Sequence, residues 1–198
     1  MPQPSLMRMK ATATSLNDAV VESVPLADIP TKLLRAGLRL TDLVWPMETP
    51  IEERVKKRQS AGQRAEDRAS GKIGHFIREK DEVIALGISF VREVEDVTGR
   101  RFPVLALAAV CTHPNYRKQG LGRAIVLDAW KRLGPELQVS LFQTGVCEFY
   151  ERMGARIIFN RIINTRDTHP PFWEPYAMIY PREANWPLGA IDVQGSGW

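Results

Sequence analysis

The chain has 198 residues, of which 44% are hydrophobic and 25% charged, and its formal net charge is only +4. These values fit one globular domain with a substantial core and argue against a nucleic-acid-binding protein. No apolar run approaches the roughly 18 residues of a membrane span, and the N-terminus lacks the apolar core of a signal peptide. We therefore expect a cytoplasmic protein that binds neither nucleic acid nor membranes.

The N-terminal half predicts a short strand, two helical segments and an antiparallel pair of strands. Residues 1–17 have no sustained periodicity and are predicted to be disordered, and a first strand is expected over 20–24. Leucines at near-helical spacing between Leu33 and Leu43 predict a helix, and a polar helix is expected over 51–70. The densest basic stretch, Arg54 to Lys72, is interpreted as the solvated face of that polar helix.

The following segments predict a central sheet. Strands are expected over 74–78 and 83–94, and the apolar run 104–110 is typical of a strand covered on both faces. A helix over 121–133, a strand over 137–142, a short helix over 147–153 and strands over 157–163 and 176–180 follow. The segment 181–198 is expected to pack on the domain or to form a dimer contact. This order predicts a mixed α/β (α+β) domain.

The two cysteines indicate neither a disulfide framework nor a metal site, and no metal is expected. Cys147 falls in a predicted helix. Cys111 lies at the end of the apolar strand with no obvious base beside it. It is therefore interpreted as an inert core thiol, although a covalent acyl-enzyme at this position is the alternative.

A glycine-containing turn connects the apolar strand to the helix that follows it. It reads Arg117-Lys118-Gln119-Gly120-Leu121-Gly122-Arg123. Glycines let the backbone approach an oxyanion, and the first N–H groups of a helix have no internal partner. A Rossmann motif would need glycine where Ile125 stands, and the Gly-Lys-Ser/Thr of a Walker loop is absent. The turn therefore suits a pyrophosphate, but its spacing is neither that of a Rossmann dinucleotide site nor that of a Walker loop.

A second block, Phe149-Tyr150-Glu151-Arg152-Met153-Gly154, lies about thirty residues further on. With these two blocks in this order, the sequence resembles the GNAT superfamily of acyl-CoA-dependent N-acyltransferases over roughly residues 18–180. Two positions depart from the family pattern, because Gln143 stands where Asn is common and Ala155 where Phe is common.

The resemblance implies a mixed, mostly antiparallel sheet flanked by helices and splayed at two strands, with the pantetheine of acetyl-CoA in the gap. It also implies that the main chains of Val110 and Thr112 pair with pantetheine. The implied diphosphate and coenzyme contacts come from the turn and from one residue of the neighbouring strand: Arg117, Lys118, Gln119, Gly120, Leu121, Gly122, Arg123 and Gln143.

The resemblance places the chemistry at Tyr150, whose phenol can protonate the leaving thiolate. A packing role for Tyr150 is the alternative. The general base stays open between Glu93, Glu95, His169 and a water chain, while His113 is interpreted as structural. Taken together, these features predict acetyl transfer to a primary amine of a small molecule or peptide, by direct attack in a ternary complex.

The chief alternative is a catalytically silent acyl-CoA-binding or regulatory module with the same fold. The acceptor loops vary freely on one scaffold, so the acceptor itself is not predicted. A homodimer is possible.

Overall fold

A computed structural model describes residues 20–167 and 174–195 of the chain. The segment 1–17, for which disorder is predicted, and the candidate base His169 lie outside the described residues. The helices and strands follow the order β1 (Glu22–Pro25), α1 (Thr31–Val44), α2 (Ile51–Gln59), α3 (Ala61–Ala69), β2 (Ile73–Glu79), β3 (Glu82–Asp96), β4 (Arg101–Thr112), α4 (Leu121–Trp130), β5 (Ser140–Thr144), α5 (Cys147–Glu151), β6 (Arg156–Ile158), β7 (Ile162–Ile163), β8 (Tyr176–Tyr180) and β9 (Ile191–Asp192).

One sheet organises the domain, in the strand order β1-β2-β3-β4-β5-β8-β6, with β9 pairing to β3 and β7. Along the main path every neighbouring pair is antiparallel except β4 and β5, which are parallel. Helices cover both faces of this sheet. The expected mixed fold, with a mostly antiparallel sheet flanked by helices, is confirmed.

Side-chain alternation along the strands builds a separate core on each face. On one face, Phe76 and Leu86 pack with the apolar stripe of α1, including Leu34. On the other face, the neighbouring Ile77 packs against Ile125 of α4. We call these two faces of the sheet the α1 face and the α4 face. A residue's position in the alternation along its strand determines on which of the two faces its side chain packs.

Two predicted elements are each divided in the structure. The helix expected over 51–70 is interrupted at Ser60, whose backbone is extended and whose hydroxyl accepts a hydrogen bond from the Gln63 N–H at 3.3 Å, starting α3. The strand expected over 157–163 becomes β6 and β7. Between them the side-chain amide of Asn160 donates to the carbonyls of Pro187 and Gly189 and accepts from the Trp186 indole. These bonds redirect the chain toward its C-terminal segment.

Residues after Tyr180 contribute directly to the core of the same domain. Trp186, Ile191 and Val193 are buried together with residues of β3, β4 and β5. The two-residue strand β9 pairs antiparallel with the end of β3 and parallel with β7. Sequence patterning does not predict β9, because two residues carry no periodicity.

A buried polar network joins β2 and β3 to α4 on the α4 face. His75 is only 1% exposed, and its Nδ1 and Nε2 lie 2.9 Å from Asp128 Oδ2 and 2.8 Å from Ser89 Oγ. The Ser23 hydroxyl lies 3.0 Å from the same Nδ1, and Arg132 donates to Ser89 Oγ at 2.7 Å. A serine–histidine–carboxylate relay of this kind resembles that of hydrolases, but Ser89 is completely buried, so no substrate reaches it.

This network predicts a pH-dependent stability. Burial lowers the pKa of His75 below its ordinary 6.5, although the hydrogen bond to Asp128 opposes the shift. The unfolded chain therefore takes up a proton more readily than the folded one below pH 6.5. The free energy of unfolding should fall as the pH drops from 6.5 toward the folded pKa, by at most about 1.4 kcal/mol per pH unit.

Urea unfolding between pH 7 and pH 5 measures this slope. His75→Gln should be less stable at neutral pH but should lose this slope, because the titrating group is gone. Hydrogen bonds from Ser23, Lys131 and His75 outweigh the effect of burial and hold the pKa of Asp128 at about 2, so its own titration lies below this window. A His75→Gln protein that keeps the wild-type slope would contradict the assignment.

Candidate functional site

The sheet opens between β4 and β5. The two strands pair only through Leu105 with Ser140 and Ala106 with Leu141, although β4 continues to Thr112 and β5 to Thr144. The β3–β4 register shifts between Leu86 and Ile88, so that β4 carries one extra residue, and Ala109 has a φ of 51°. This is a β-bulge, which bends β4. Main-chain groups of both strands therefore face the gap.

Gly87 of β3 allows the bulge to pack against α4. A Cβ at this position would lie 2.6 Å from Cγ2 of Ile125 and 3.3 Å from Cγ2 of Val110. The contact with Ile125 is closer than real Cβ atoms allow. The absence of a side chain therefore lets Ile125 of α4 and Val110 of the bulged segment pack over Gly87 on the α4 face.

A cavity of about 800 Å³, here called the main cavity, occupies the gap and extends over the α1 face. Its wall on the splayed side consists of residues from β4, β5, α5 and the segment before β8, namely Leu107, Ala108, Ala109, Val110, Gln143, Thr144, Gly145, Val146, Tyr150 and Glu174. Its opposite wall consists of Leu26, Trp45, Arg58, Glu66, Lys72, Ile88 and Phe90. The cavity thus combines apolar surface with both signs of charge.

The turn after β4 ends at the N-terminus of α4. His113 Nδ1 accepts a hydrogen bond from the Asn115 N–H at 3.2 Å, as its predicted structural role requires. Lys118 and Gly120 have φ values of 63° and 80°. The bond from Ala124 N–H to the Gly120 carbonyl is 3.0 Å long, and the N–H groups just before position 124 have no acceptor within the helix. This end of α4 can therefore bind an anion.

The side chains of the turn divide between solvent and core. Lys118, Gln119 and Arg123 are exposed, whereas Leu121 is buried. Arg117 is also exposed, and its Nε donates to the Thr112 carbonyl at 3.4 Å. The turn therefore offers main-chain amides and mobile cations, while the Leu121 side chain anchors it in the core.

Gly122 holds the turn close to the end of β4 and to α5. A Cβ there would lie 3.4 Å from Oγ1 of Thr112 and 3.5 Å from Cζ of Phe149. Phe149 precedes Tyr150, which lines the main cavity. The two sequence blocks that carry the family resemblance thus meet in space.

Tyr150 is buried at the inner end of the main cavity. Its ring centroid lies 4.6 Å from that of Phe142 and 4.8 Å from that of Phe149. Burial raises the pKa of the phenol above its ordinary 10, and the charge of Glu174 raises it further. The phenol is therefore protonated at neutral pH and has a proton to donate.

Glu174 is a charged residue of the main cavity that sequence analysis missed. Arg58, Glu66 and Lys72 also line this cavity, so the stretch 54–72 is not simply the solvated helix face that was expected.

The Glu174 N–H donates to Gln143 Oε1 at 2.9 Å, which fixes the backbone beside β5. Its Oε2 would lie only 2.8 Å from a Cβ on Gly145, so the glycine makes room for the carboxylate. The sequence feature that could have indicated Glu174 is its position just before the predicted strand at 176–180. In the structure, Tyr176 at the start of β8 pairs with Thr144 of β5, which brings Glu174 to the cavity.

The bases considered from sequence lie elsewhere. Glu93 and Glu95 stand at the end of β3 that is remote from the bulge and lie 3.7 Å and 2.7 Å from Arg101. Neither lines the main cavity. His169 lies outside the described residues. Burial raises the pKa of Cys111 to about 12, which agrees with an inert thiol.

Of the coenzyme residues expected from sequence, Val110 and Gln143 line the main cavity together with Tyr150, while the turn lies beyond the end of β4. Within the described segments, His, Cys, Asp and Glu form no cluster of three that could hold a metal. No helix in those segments is long and apolar enough to span a membrane.

Comparison with known proteins agrees with this geometry. Residues 72–154 match the family model of the acetyltransferase (GNAT) domain. A GCN5-related N-acetyltransferase from Kribbella flavida is 19% identical with a TM-score of 0.52, over 70% of this chain and 34% of that one. This chain thus spans about a third of that protein.

An acyl-CoA N-acyltransferase from Pseudomonas aeruginosa is 18% identical with a TM-score of 0.51, over 81% of this chain and 97% of that one. A Trypanosoma brucei acetyltransferase is 16% identical with a TM-score of 0.51, over 70% and 94% of the respective chains. No curated protein matches the sequence. The solved structures show a shared fold, and the family model confirms the resemblance drawn from the two sequence blocks.

Proposed function

We propose that this chain, which belongs to the GNAT superfamily through its domain at residues 72–154, is an acyl-CoA-dependent N-acyltransferase. The observation that carries the proposal is the gap between β4 and β5, which ends at the glycine turn and contains Tyr150. We take the acyl group to be acetyl, because the matching family model is that of an acetyltransferase domain.

In this proposal the pantetheine arm lies along the gap and hydrogen bonds to the main chains of Val110 and Thr112. The diphosphate lies against the amides of residues 118–122, where the positive end of α4 favours an anion. The exposed cations of the turn add charge. Arg117 then gives up its 3.4 Å hydrogen bond to the Thr112 carbonyl and donates to a phosphate oxygen instead.

Tyr150 and Glu174 supply the proton transfers. An amine near its ordinary pKa of about 10 arrives as an ammonium. Glu174 takes one proton and passes it to solvent. The neutral amine attacks the thioester carbon, so that a C–N bond forms and the C–S bond breaks. The leaving thiolate takes the Tyr150 proton, and the proton still on the new amide nitrogen returns to the phenolate through water.

Coenzyme binding predicts an effect at Gly120 that Gly99 does not share. Both glycines have φ near +80°, and a Cβ at either would meet no protein atom within 4 Å. Alanine at either position therefore adds comparable backbone strain, about 1 kcal/mol or more. Only Gly120→Ala places its methyl group where the diphosphate would lie. Calorimetry should show at least a tenfold loss of CoA affinity in Gly120→Ala and none in Gly99→Ala. Equal CoA affinities of the two variants would mean that the turn is not part of the coenzyme site.

Tyr150→Phe tests the proposed acid. The phenyl ring keeps the contacts with Phe142 and Phe149 and removes only the proton. With an acceptor found by an amine panel, thiol release should slow by about 10²–10⁴-fold while acetyl-CoA affinity barely changes. Tyr180→Phe is the matched control, because Tyr180 stacks on Trp130 outside the main cavity. Full turnover in Tyr150→Phe would show that the phenol only packs.

Glu174→Gln tests the proposed base. The amide keeps the shape of the side chain but cannot take the ammonium proton. We expect kcat/KM for the amine to fall by about a hundredfold at pH 7 and by less at higher pH, where more amine is already neutral. The exposed Glu183→Gln is the control. A loss that does not change with pH would assign Glu174 to binding alone.

A further inference from the structure

A second cavity of about 380 Å³, here called the α1 cavity, lies between helices α1 to α3 and the sheet. It shares the lining residues Leu26, Arg58 and Ile88 with the main cavity, so the two cavities adjoin at these side chains. Its floor is apolar and comes from the loop after β1, from α1 and from two strands: Leu26, Ile29, Leu34, Leu38, Phe76, Leu86 and Ile88.

A glycine in α1 keeps this floor open. A Cβ on Gly37 would lie 3.4 Å from Cε1 of Phe76 and 3.6 Å from Cδ2 of Leu86, and a longer side chain would extend into the cavity. Glycine is a poor helix former, so Gly37 makes α1 less stable as a helix but leaves the space above the floor unfilled. At about 30 Å³ for each water-sized group, the cavity has room for about a dozen non-hydrogen atoms.

The rim of the α1 cavity is polar and cationic. Arg54, Lys57 and Arg58 line it, together with Thr41 and Gln63, and no carboxylate is among its described lining residues. Arg54 is neutralised by Asp42. Lys57 is exposed and forms no ion pair with the described residues.

Arg58 shares one carboxylate with a second cation. It lies 2.9 Å from the buried Asp67, which also faces Lys72 at 3.6 Å. Asp67 and Glu66 together balance Arg58 and Lys72, so the excess positive charge at the rim of the α1 cavity is that of Lys57. On the splayed wall of the main cavity, Glu174 supplies a carboxylate.

We propose that the α1 cavity holds the apolar body and anionic end of the acceptor, whose amine reaches Glu174 in the main cavity. This inference rests on the proposed N-acyltransferase function and names its substrate class. The substrate is a primary amine with an apolar body of about six to ten carbon atoms and a carboxylate or phosphate at its far end. Its amine would face the Glu174 carboxylate, and its anionic end would face Lys57.

The test compares 8-aminooctanoate with octylamine, which differ only in whether the eight-carbon chain ends in a carboxylate or in a methyl group. Calorimetry on the full chain, with and without CoA, should show at least tenfold tighter binding of 8-aminooctanoate. Lys57→Glu should abolish that preference. Lys56→Glu introduces the same charge change one residue away, outside both cavities, and should retain the preference. Equal affinities, no binding of either amine, or the same loss in both variants would overturn the proposal.

Gly37→Leu provides an independent measurement by filling the floor. It should weaken both amines at least fivefold and leave CoA affinity unchanged. If it instead weakens octanoyl-CoA relative to acetyl-CoA and spares the amines, the cavity holds an acyl chain and the proposal is wrong. Should Gly37→Leu fail to fold, the Lys57 and Lys56 variants decide the question. Loss of CoA binding by the wild type would refute the proposed function separately, because the amine preference is also measured without CoA.

Discussion

Between β4 and β5, in the middle of the sheet, main-chain pairing stops after two residue pairs although both strands continue. Backbone N–H and C=O groups that lose a partner away from water cost about 1–3 kcal/mol each. The bulge at Ala109 removes β4 from this pairing, and Gly87 allows the bulge to pack against α4. A ligand with its own amides, lying along the gap, would restore the missing hydrogen bonds. The glycine turn, Tyr150 and the main cavity all owe their positions to this divergence.

The two groups proposed to transfer protons, Tyr150 and Glu174, line the same wall of the main cavity. Tyr150 is buried by aromatic rings, which keeps its phenol protonated at neutral pH. A thiolate is a weaker base than the phenolate, so in the proposed mechanism the transfer is completed by return of the excess proton from the amide nitrogen to the phenolate. Glu174 is held beside β5 by the hydrogen bond to Gln143, over a glycine that leaves room for its carboxylate. In the proposed mechanism, a phenol that resists ionisation and a nearby carboxylate assign the two proton movements of acyl transfer to different side chains.

Local sequence signals predicted those parts of the molecule that depend on short spacing. The glycine turn, the helix after it and the block containing Tyr150 carry their pattern within a few residues. The mixed α/β class followed from the order of elements, and the mostly antiparallel sheet flanked by helices followed from the family resemblance. Glu174 could not be found in this way, because only the pairing of Thr144 with Tyr176 brings it to the cavity. The same limit applies to β9 and to the break at Asn160, which depend on contacts with the C-terminal segment. The sequence allowed Glu93 and Glu95 as candidate bases. The β3–β4 register places both at the end of the sheet that is remote from the bulge.

Amide hydrogen exchange with and without saturating CoA tests the central claim most directly, because it reports on the main chain of the gap itself. The account predicts that the amides of residues 108–112 and 118–123 slow by at least tenfold when CoA binds, while those of the β2–β3 turn at 80–81 keep their rates. Tight CoA binding that leaves the exchange of both segments unchanged would contradict it.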